Sequence, residues 1–303
     1  MSRIAFLFPG QGAQIVGMGR QLAELLPAAK ELYDRANAIL GYDLAELCFE
    51  GPQEDLDSTV ISQPALYVTS LAAVESLRHS QPELVDGCAA TAGLSLGEYT
   101  ALAYAGVMDF ETGLRLVQQR GQAMQDASDA APSAMVSILG LDQEKVESLC
   151  DQARGEGESL RVANLLCPGN IAVSGSNDAC ERVVDLAHNA GAMRVVPLAV
   201  AGAFHTDLMQ PAVDPLRDAL ANAAMSAPRI PVISNVDAQA HDDPEKIKQL
   251  LIAQIVSPVR WEDCVRRLLA MDIDRFYEVG PGRVLRGLLR RIERTVSCES
   301  VME

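Results

Sequence analysis

Apolar residues follow two rhythms along the chain, continuous runs and helical spacing, and their alternation predicts a layered α/β protein. Arg3 to Phe8 is apolar from Ile4 onward, as expected of a strand buried on both faces. Pro9-Gly10-Gln11-Gly12-Ala13-Gln14 stops it. Helical spacing begins in Gly17 to Leu25, and Ser62-Gln63-Pro64-Ala65 opens a second helical run to about Leu77. The small residues Ala89 to Ala92 then lead into Gly93-Leu94-Ser95-Leu96-Gly97, and Glu98 to Ala105 leaves as a helix-forming run. Asp109 is placed to cap the next helix, which carries Leu114, Val117 and Met124 on one face and Arg120 between Gln119 and Gly121.

Ala127 to Ser133 reads as a linker, and the rhythm changes after it. Ala134–Leu139 is a predicted strand, Asp142–Cys150 a helix, Ser159–Ala163 and Asn170–Ser174 strands, Asp178–Ala190 a helix closed by Gly191, and Met193–Leu198 a strand. The order β-α-β-β-α-β is that of a ferredoxin-like split βαβ unit. The expected organisation is therefore a larger α/β domain, residues 1–126 and 199–303, interrupted by a small α+β domain, residues 127–198. In the remainder, residues 229–236 read as a buried strand, Ile247–Gln254 as an amphipathic helix and Asp274–Val279 as a last strand. That strand ends in Gly280-Pro281-Gly282, before a helix carrying Arg283, Arg286, Arg290, Arg291 and Arg294.

Charge narrows the partners. The 303 residues hold 41 acidic and 25 basic side chains, a formal charge of −16, which disfavours nucleic acid and anionic membranes while leaving room for a local basic patch. No stretch of the sequence is apolar for long enough to cross a membrane, and the N-terminus enters a strand at once, without signal-peptide architecture. The seven cysteines are scattered, with no C-x-x-C pair and no metal-ligand spacing with histidine, so a reducing cytoplasm and no metal are expected.

Chemistry concentrates at residues 93–97, which have the G-x-S-x-G form of a nucleophile elbow. A serine on a sharp strand-to-helix turn needs glycine on both sides, because side chains there would clash. The turn presents Oγ to a substrate, and the helix N-terminus offers N–H groups to a developing oxyanion. Gly10-Gln11-Gly12 begins like a dinucleotide loop without completing that fingerprint; the other reading is a Gln11 freed by glycines to face a site. Of four histidines, His79, His188 and His241 sit in polar surroundings and read as solvated. His205 follows an apolar, small-residue segment, and fits either a satisfied core histidine or a base. Arg120 fits either a solvated helix position or a fixed fork for a carboxylate.

Several segments occur together in one order: Phe8-Pro9-Gly10-Gln11-Gly12, Gln63-Pro64-Ala65, Gly93 to Tyr99, Gln119-Arg120-Gly121, Phe204-His205, Ser257-Pro258-Val259-Arg260-Trp261 and Glu278-Val279-Gly280-Pro281-Gly282. As a set, from about Ile4 to Leu289, they resemble the malonyl-CoA:acyl carrier protein transacylase family of type II fatty acid synthesis. The resemblance implies a hydrolase-like parallel-sheet core domain with an inserted ferredoxin-like domain. It implies Ser95 as nucleophile and His205 as base in a dyad, with the main-chain carbonyl of Gln254 orienting the histidine. It implies an oxyanion hole from the N–H groups of Gln11 and Leu96, and Arg120 on the malonyl carboxylate. Malonyl-CoA and the phosphopantetheine thiol of acyl carrier protein would then be the two substrates of a ping-pong acyltransferase, with no metal or redox cofactor. A monomer is the default expectation.

Phe204 resembles the pattern of malonyl-selective members, where an aromatic side chain leaves little room for the extra methyl of methylmalonyl; one methyl is worth only ~1–3 kcal/mol. Leu94 departs from the family, which usually has histidine directly before the serine, and this bears on pocket polarity rather than on the dyad. The same elbow could serve a serine esterase or thioesterase, and the same family includes malonyl transferases of malonate decarboxylase and polyketide systems. Because the chain and acyl carrier proteins are both acidic, docking requires a local basic patch, expected at Arg290 and Arg291 with Arg194 of the small domain.

Overall fold

β1 (Ile4–Phe8) lies at the centre of a five-stranded sheet in which every neighbouring pair is parallel. The computed structural model describes residues 2–302. With β2 (Cys88–Gly93), β3 (Ser133–Leu139), β4 (Leu160–Cys167), β5 (Asn170–Ser176), β6 (Arg194–Pro197), β7 (Val232–Ile233), β8 (Arg275–Glu278) and β9 (Ser297–Ser300), the parallel sheet runs β7-β2-β1-β8-β9. Alternate residues of β1 feed two cores. Phe6 and Phe8 join the apolar cluster beneath helix Thr59–Ser80, while Ala5 and Leu7 pack on the other face with Trp261, Phe276 and Leu285. Burial on both faces is what the unbroken apolar run requires.

The second sheet is antiparallel, in the order β4-β5-β3-β6. Its chain order is β-α-β-β-α-β, with helices Gln143–Ala153 and Asn177–Asn189 sharing its own core around Val136, Val146, Val173 and Val183. Strand and helix positions follow the sequence pattern to within a few residues. The segment before helix Trp261–Leu269 is tied to β4 at Val259, whose N–H donates to Ala163 O and whose carbonyl accepts from Leu165 N, both at 2.9 Å.

Three readings change. The stretch 127–133 is not mainly linker: helix Phe110–Ala130 runs through its first four residues, because Ala127 and Ser128 still face the core. The strand expected over 229–236 shrinks to Val232–Ile233. Pro231 has no N–H to give a ladder, and Asn235 turns away to bond the elbow. Helix Thr59–Ser80 starts three residues before Ser62, because Ser58 caps it through Oγ, accepting from Ile61 N at 3.3 Å. β9 was invisible to patterning; its Ser-Cys-Glu-Ser sequence has too little apolar character to signal an edge strand.

Candidate active site

β1 and β2 are parallel neighbours, with Phe8 and Gly93 in register at their C-terminal ends. Two turns therefore emerge side by side, one carrying Gln11 and the other Ser95. Their packing depends on missing side chains. A Cβ on Gly10 would lie 2.3 Å from Leu94 O, and one on Gly97 would lie 2.1 Å from Phe8 O. Ser95 itself sits at φ 51°, ψ −103°, directly before helix Leu96–Tyr104. This is the strained elbow conformation, and it places Leu96 N–H at the helix start.

Ser95 Oγ is contacted from two sides. Ser95 Oγ lies 2.9 Å from His205 Nε2 and accepts from Arg120 Nη2 at 2.9 Å. His205, at φ 61° and 3% exposed, has its Nδ1 2.8 Å from Gln254 O. A carbonyl can only accept, so Nδ1 carries the hydrogen and Nε2 is left to accept the serine proton. The carbonyl is available because Gln254 ends helix Pro244–Gln254, where the last C=O groups lack helical partners. Burial, and then the charge of Arg120, hold the His205 pKa down at about 4. The imidazole is therefore neutral at pH 7, as a base must be.

Arg120 does not face solvent. Asp109 caps its helix, Oδ1 accepting from Thr112 N at 2.8 Å, and the helix turns Arg120 inward to 1% exposure. Nη1 donates to Gln63 Oε1 at 2.8 Å, and Nη2 donates to Gln254 Oε1 at 3.0 Å as well as to Ser95. Its plane lies over the Tyr99 ring, 5.4 Å from the centroid. Burial lowers its pKa. Among the described residues no carboxylate forms an ion pair with it, and all its acceptors are neutral. The charge of Glu98 reaches it only across the Gln254 amide, and a buried guanidinium with no carboxylate in direct contact is costly and a ready site for an incoming one.

Gln11, Leu94, Ser95, Leu96, Arg120, Phe204 and His205 all line one cavity of about 330 Å³. One wall comes from the antiparallel sheet, through Met135, Ser137, Asn164 and Asn170, and the mouth carries Leu94, Leu166, Val284 and Leu288. The docking candidates lie outside it and are exposed. Arg291 donates to Pro168 O at 3.1 Å and shares a helix face with Val284 and Leu288; Arg290 is on the adjoining face; Arg194 lies on edge strand β6. Of the other histidines, His79 and His188 are exposed, but His241 is half-buried, its Nε2 2.8 Å from Asp237 Oδ2. Among the described residues no group of His, Cys, Asp or Glu is placed to hold a metal ion, and no helix is long and apolar enough to cross a membrane.

Sequence reasoning missed three polar residues behind the cavity. Gln63 was noted only as a motif letter. Glu98, 3% exposed, accepts from Gln254 Nε2 at 2.7 Å and from Asn235 N at 3.0 Å; burial lifts its pKa to about 7. Asn235 Oδ1 accepts from Ser95 N at 2.7 Å, and its Nδ2 donates to Gly93 O at 2.8 Å, so one amide braces both sides of the elbow. The one available signal was a polar residue ending an apolar strand.

Known proteins share this architecture. The acyl transferase domain family matches residues 5–301. A malonyl CoA-acyl carrier protein transacylase of Bacillus subtilis (strain 168) is 42% identical over 305 residues, spanning 100% of this chain and 94% of the relative. The crystal structure of an acyl carrier protein S-malonyltransferase from Vibrio cholerae superposes with a TM-score of 0.94 at 44% identity, covering 100% and 97% of the two chains. A solved complex of a type II PKS acyl-carrier protein with its malonyl-transacylase gives a TM-score of 0.93 at 38% identity, covering 99% and 95%. Matched over its whole length in sequence and in fold, the chain belongs to the acyl transferase family, among the malonyl-CoA:acyl carrier protein transacylases.

Proposed function

We propose that the chain moves a malonyl group from malonyl-CoA to the phosphopantetheine thiol of an acyl carrier protein, through a malonyl ester on Ser95. The observation that carries this reading is the double contact on Ser95 Oγ, with His205 Nε2 and Arg120 Nη2 both at 2.9 Å. One contact supplies the base. The other places a buried cation where the free carboxylate of a three-carbon diacid would reach it while its thioester carbon meets Oγ.

The steps use only named groups. The malonyl carboxylate settles on Arg120. Oγ attacks the thioester carbonyl as His205 Nε2 takes its proton, and the oxyanion rests on the N–H groups of Gln11 and Leu96. The C–S bond breaks, the imidazolium gives its proton to the CoA sulfur, and the ester remains. The carrier thiol then loses its proton to His205 and attacks the ester carbonyl; the C–O bond breaks and Oγ recovers the proton. Gln254 O holds Nδ1 throughout, so the tautomer stays fixed with no acid in the third position. These side chains handle every proton and charge, so the proposed reaction calls for no metal or redox cofactor.

Phe204, 5% exposed and lining the cavity, supports a preference for malonyl over methylmalonyl. The relative solved with a carrier protein supports carrier docking here, with Arg291, Arg290 and Arg194 as the basic patch. The described cysteines are all unpaired thiols, which suits the cytoplasm, and fatty acid synthesis is the proposed pathway.

Intact-protein mass after malonyl-CoA tests the reading. Wild type gains one malonyl group and releases one equivalent of CoA, then stalls until a carrier thiol is added; Ser95→Ala gains none. Rapid CoA release in water without a carrier would instead identify a thioesterase.

A further inference from the structure

Glu98 is a buried carboxylate that the proposed steps leave unused, yet it touches the residue that touches everything else. Gln254 contacts the dyad through its main chain and the cation through its side chain: O meets His205 Nδ1 at 2.8 Å, and Oε1 accepts from Arg120 Nη2 at 3.0 Å. The amide nitrogen of Gln254 faces the other way, donating to Glu98 Oε2 at 2.7 Å and to Ser95 O at 3.2 Å. An amide has two ends that differ little in shape and are opposite in hydrogen-bonding sense.

Resting on the malonyl-transfer reading above, we propose that Glu98 is a positioning residue that locks the Gln254 amide with its oxygen toward Arg120. A carboxylate oxygen already taking the Asn235 N–H offers Gln254 only an acceptor, so only the Nε2 end can face it. The flipped amide would set NH2 against the guanidinium and carbonyl against both the carboxylate and Ser95 O, losing all three hydrogen bonds. Arg120 needs this because its other contacts are Gln63 Oε1, the Tyr99 ring and Ser95 Oγ, the last an atom it must leave free to react. The proposal separates two jobs of one residue: the Gln254 carbonyl serves the base, and its amide, through Glu98, serves the substrate carboxylate.

Glu98→Gln is nearly isosteric and weakens the discrimination, since a glutamine can pair with either end of the Gln254 amide and leaves only Ser95 O and Arg120 to set its direction. The expected result is a KM for malonyl-CoA raised by about 10- to 100-fold, the effect of weakening one charged hydrogen bond, with kcat little changed. Preference for malonyl-CoA over acetyl-CoA, which lacks the carboxylate, falls by the same factor. Gln254→Met keeps the main-chain carbonyl and deletes the amide, and should reproduce that loss of preference. If Glu98 acts through Gln254, the double variant is no worse than the worse single one. Additive losses, or a malonyl-over-acetyl preference unchanged in Glu98→Gln, overturn the proposal. A folding defect would lower transfer of both acyl groups alike and leave the preference intact, which counts against it too. Wild type forming no malonyl ester would sink the underlying reading instead, so the two failures are distinct.

Discussion

Arg120 Nη2 and Ser95 Oγ are hydrogen-bonded at 2.9 Å, so the cation that should hold the substrate also holds the nucleophile. A malonyl carboxylate arriving at Arg120 competes for that donor and frees Oγ to bond only His205. Arg120→Ala should therefore affect malonyl more than acetyl transfer. Stranding a carboxylate in a closed site costs ~3–5 kcal/mol, roughly two to four decades in rate. Steady-state kcat/KM with both thioesters checks this, and similar malonyl transfer by wild type and Arg120→Ala refutes the clamp.

The pH profile should report the buried base. Burial and the Arg120 charge hold His205 at about 4, below its ordinary value near 6.5. The neutral imidazole is the active form, so the limb of kcat/KM that His205 sets should fall near 4 rather than near 6.5. The sign for stability is the same. Between about 4 and 6.5 the unfolded chain binds the His205 proton and the folded chain does not, so acid in that window favours unfolding. Glu98, lifted to about 7, does the reverse: the folded state holds the extra proton, and its contribution weakens as pH rises toward 7. An inflection near 7 in the rate profile belongs to Glu98 and should vanish in Glu98→Gln, while the limb near 4 remains. An acid limb at 6.5 that persists in Glu98→Gln would mean that His205 is hydrated.

Gly97→Ala should disable the fold before the chemistry. Its Cβ would sit 2.1 Å from Phe8 O and 2.9 Å from Pro9 O, both main-chain atoms that cannot swing aside. Separating the elbow from β1 costs more than about 3 kcal/mol by the usual scale of such overpacking. Thermal unfolding should show a drop of many degrees. A variant that melts like wild type would mean that the two turns part easily.

Much of this was legible because the chain's strongest patterns are local. The all-apolar β1, the glycines around Ser95 and the Asp109 cap each fix a short segment, and those segments fell where expected. Ser95, His205 and Arg120 were legible as a group only through resemblance, since 110 and 25 positions separate the nucleophile from its partners. Residues that work from behind left no trace. Asn235 reaches Ser95 N across 140 positions, and Glu98 looks like any first-turn acid until burial lifts its pKa to about 7. Spacing carries no information about which polar side chain a tertiary turn will bring to which amide.

Carrier docking should respond to charge on one face of helix Val284–Ile292. Arg291 sits in line with Val284 and Leu288, which border the cavity, while Arg290 points to the adjoining face. Arg291→Glu should raise the apparent KM for carrier about tenfold at low salt, with Arg290→Glu weaker, and both effects should shrink as salt is added. Acylation of Ser95 by malonyl-CoA should be unchanged, because neither side chain lines the cavity. An unaltered carrier KM in both variants places the docking surface elsewhere.

Leu94 makes the mouth of the cavity more apolar than the histidine usual in the family would. It is half-buried, it packs into the cluster containing Leu285 and Leu288, and it borders the cavity with Leu166 and Val284. A malonyl ester on Ser95 must survive until a carrier thiol arrives, and water is its competitor. In the proposed reaction His205 supplies the base and main-chain groups the oxyanion site, so Leu94 has no part in proton transfer or charge stabilisation. Its effect should therefore fall on hydration. Leu94→His should leave transfer to the carrier within a few-fold of wild type, while hydrolysis of the malonyl enzyme without carrier rises about tenfold, as a polar group at the mouth orders water there. The half-life of the mass adduct measures this directly. An adduct equally long-lived in Leu94→His would assign the protection to the walls deeper in the cavity, at Phe204 and Met135.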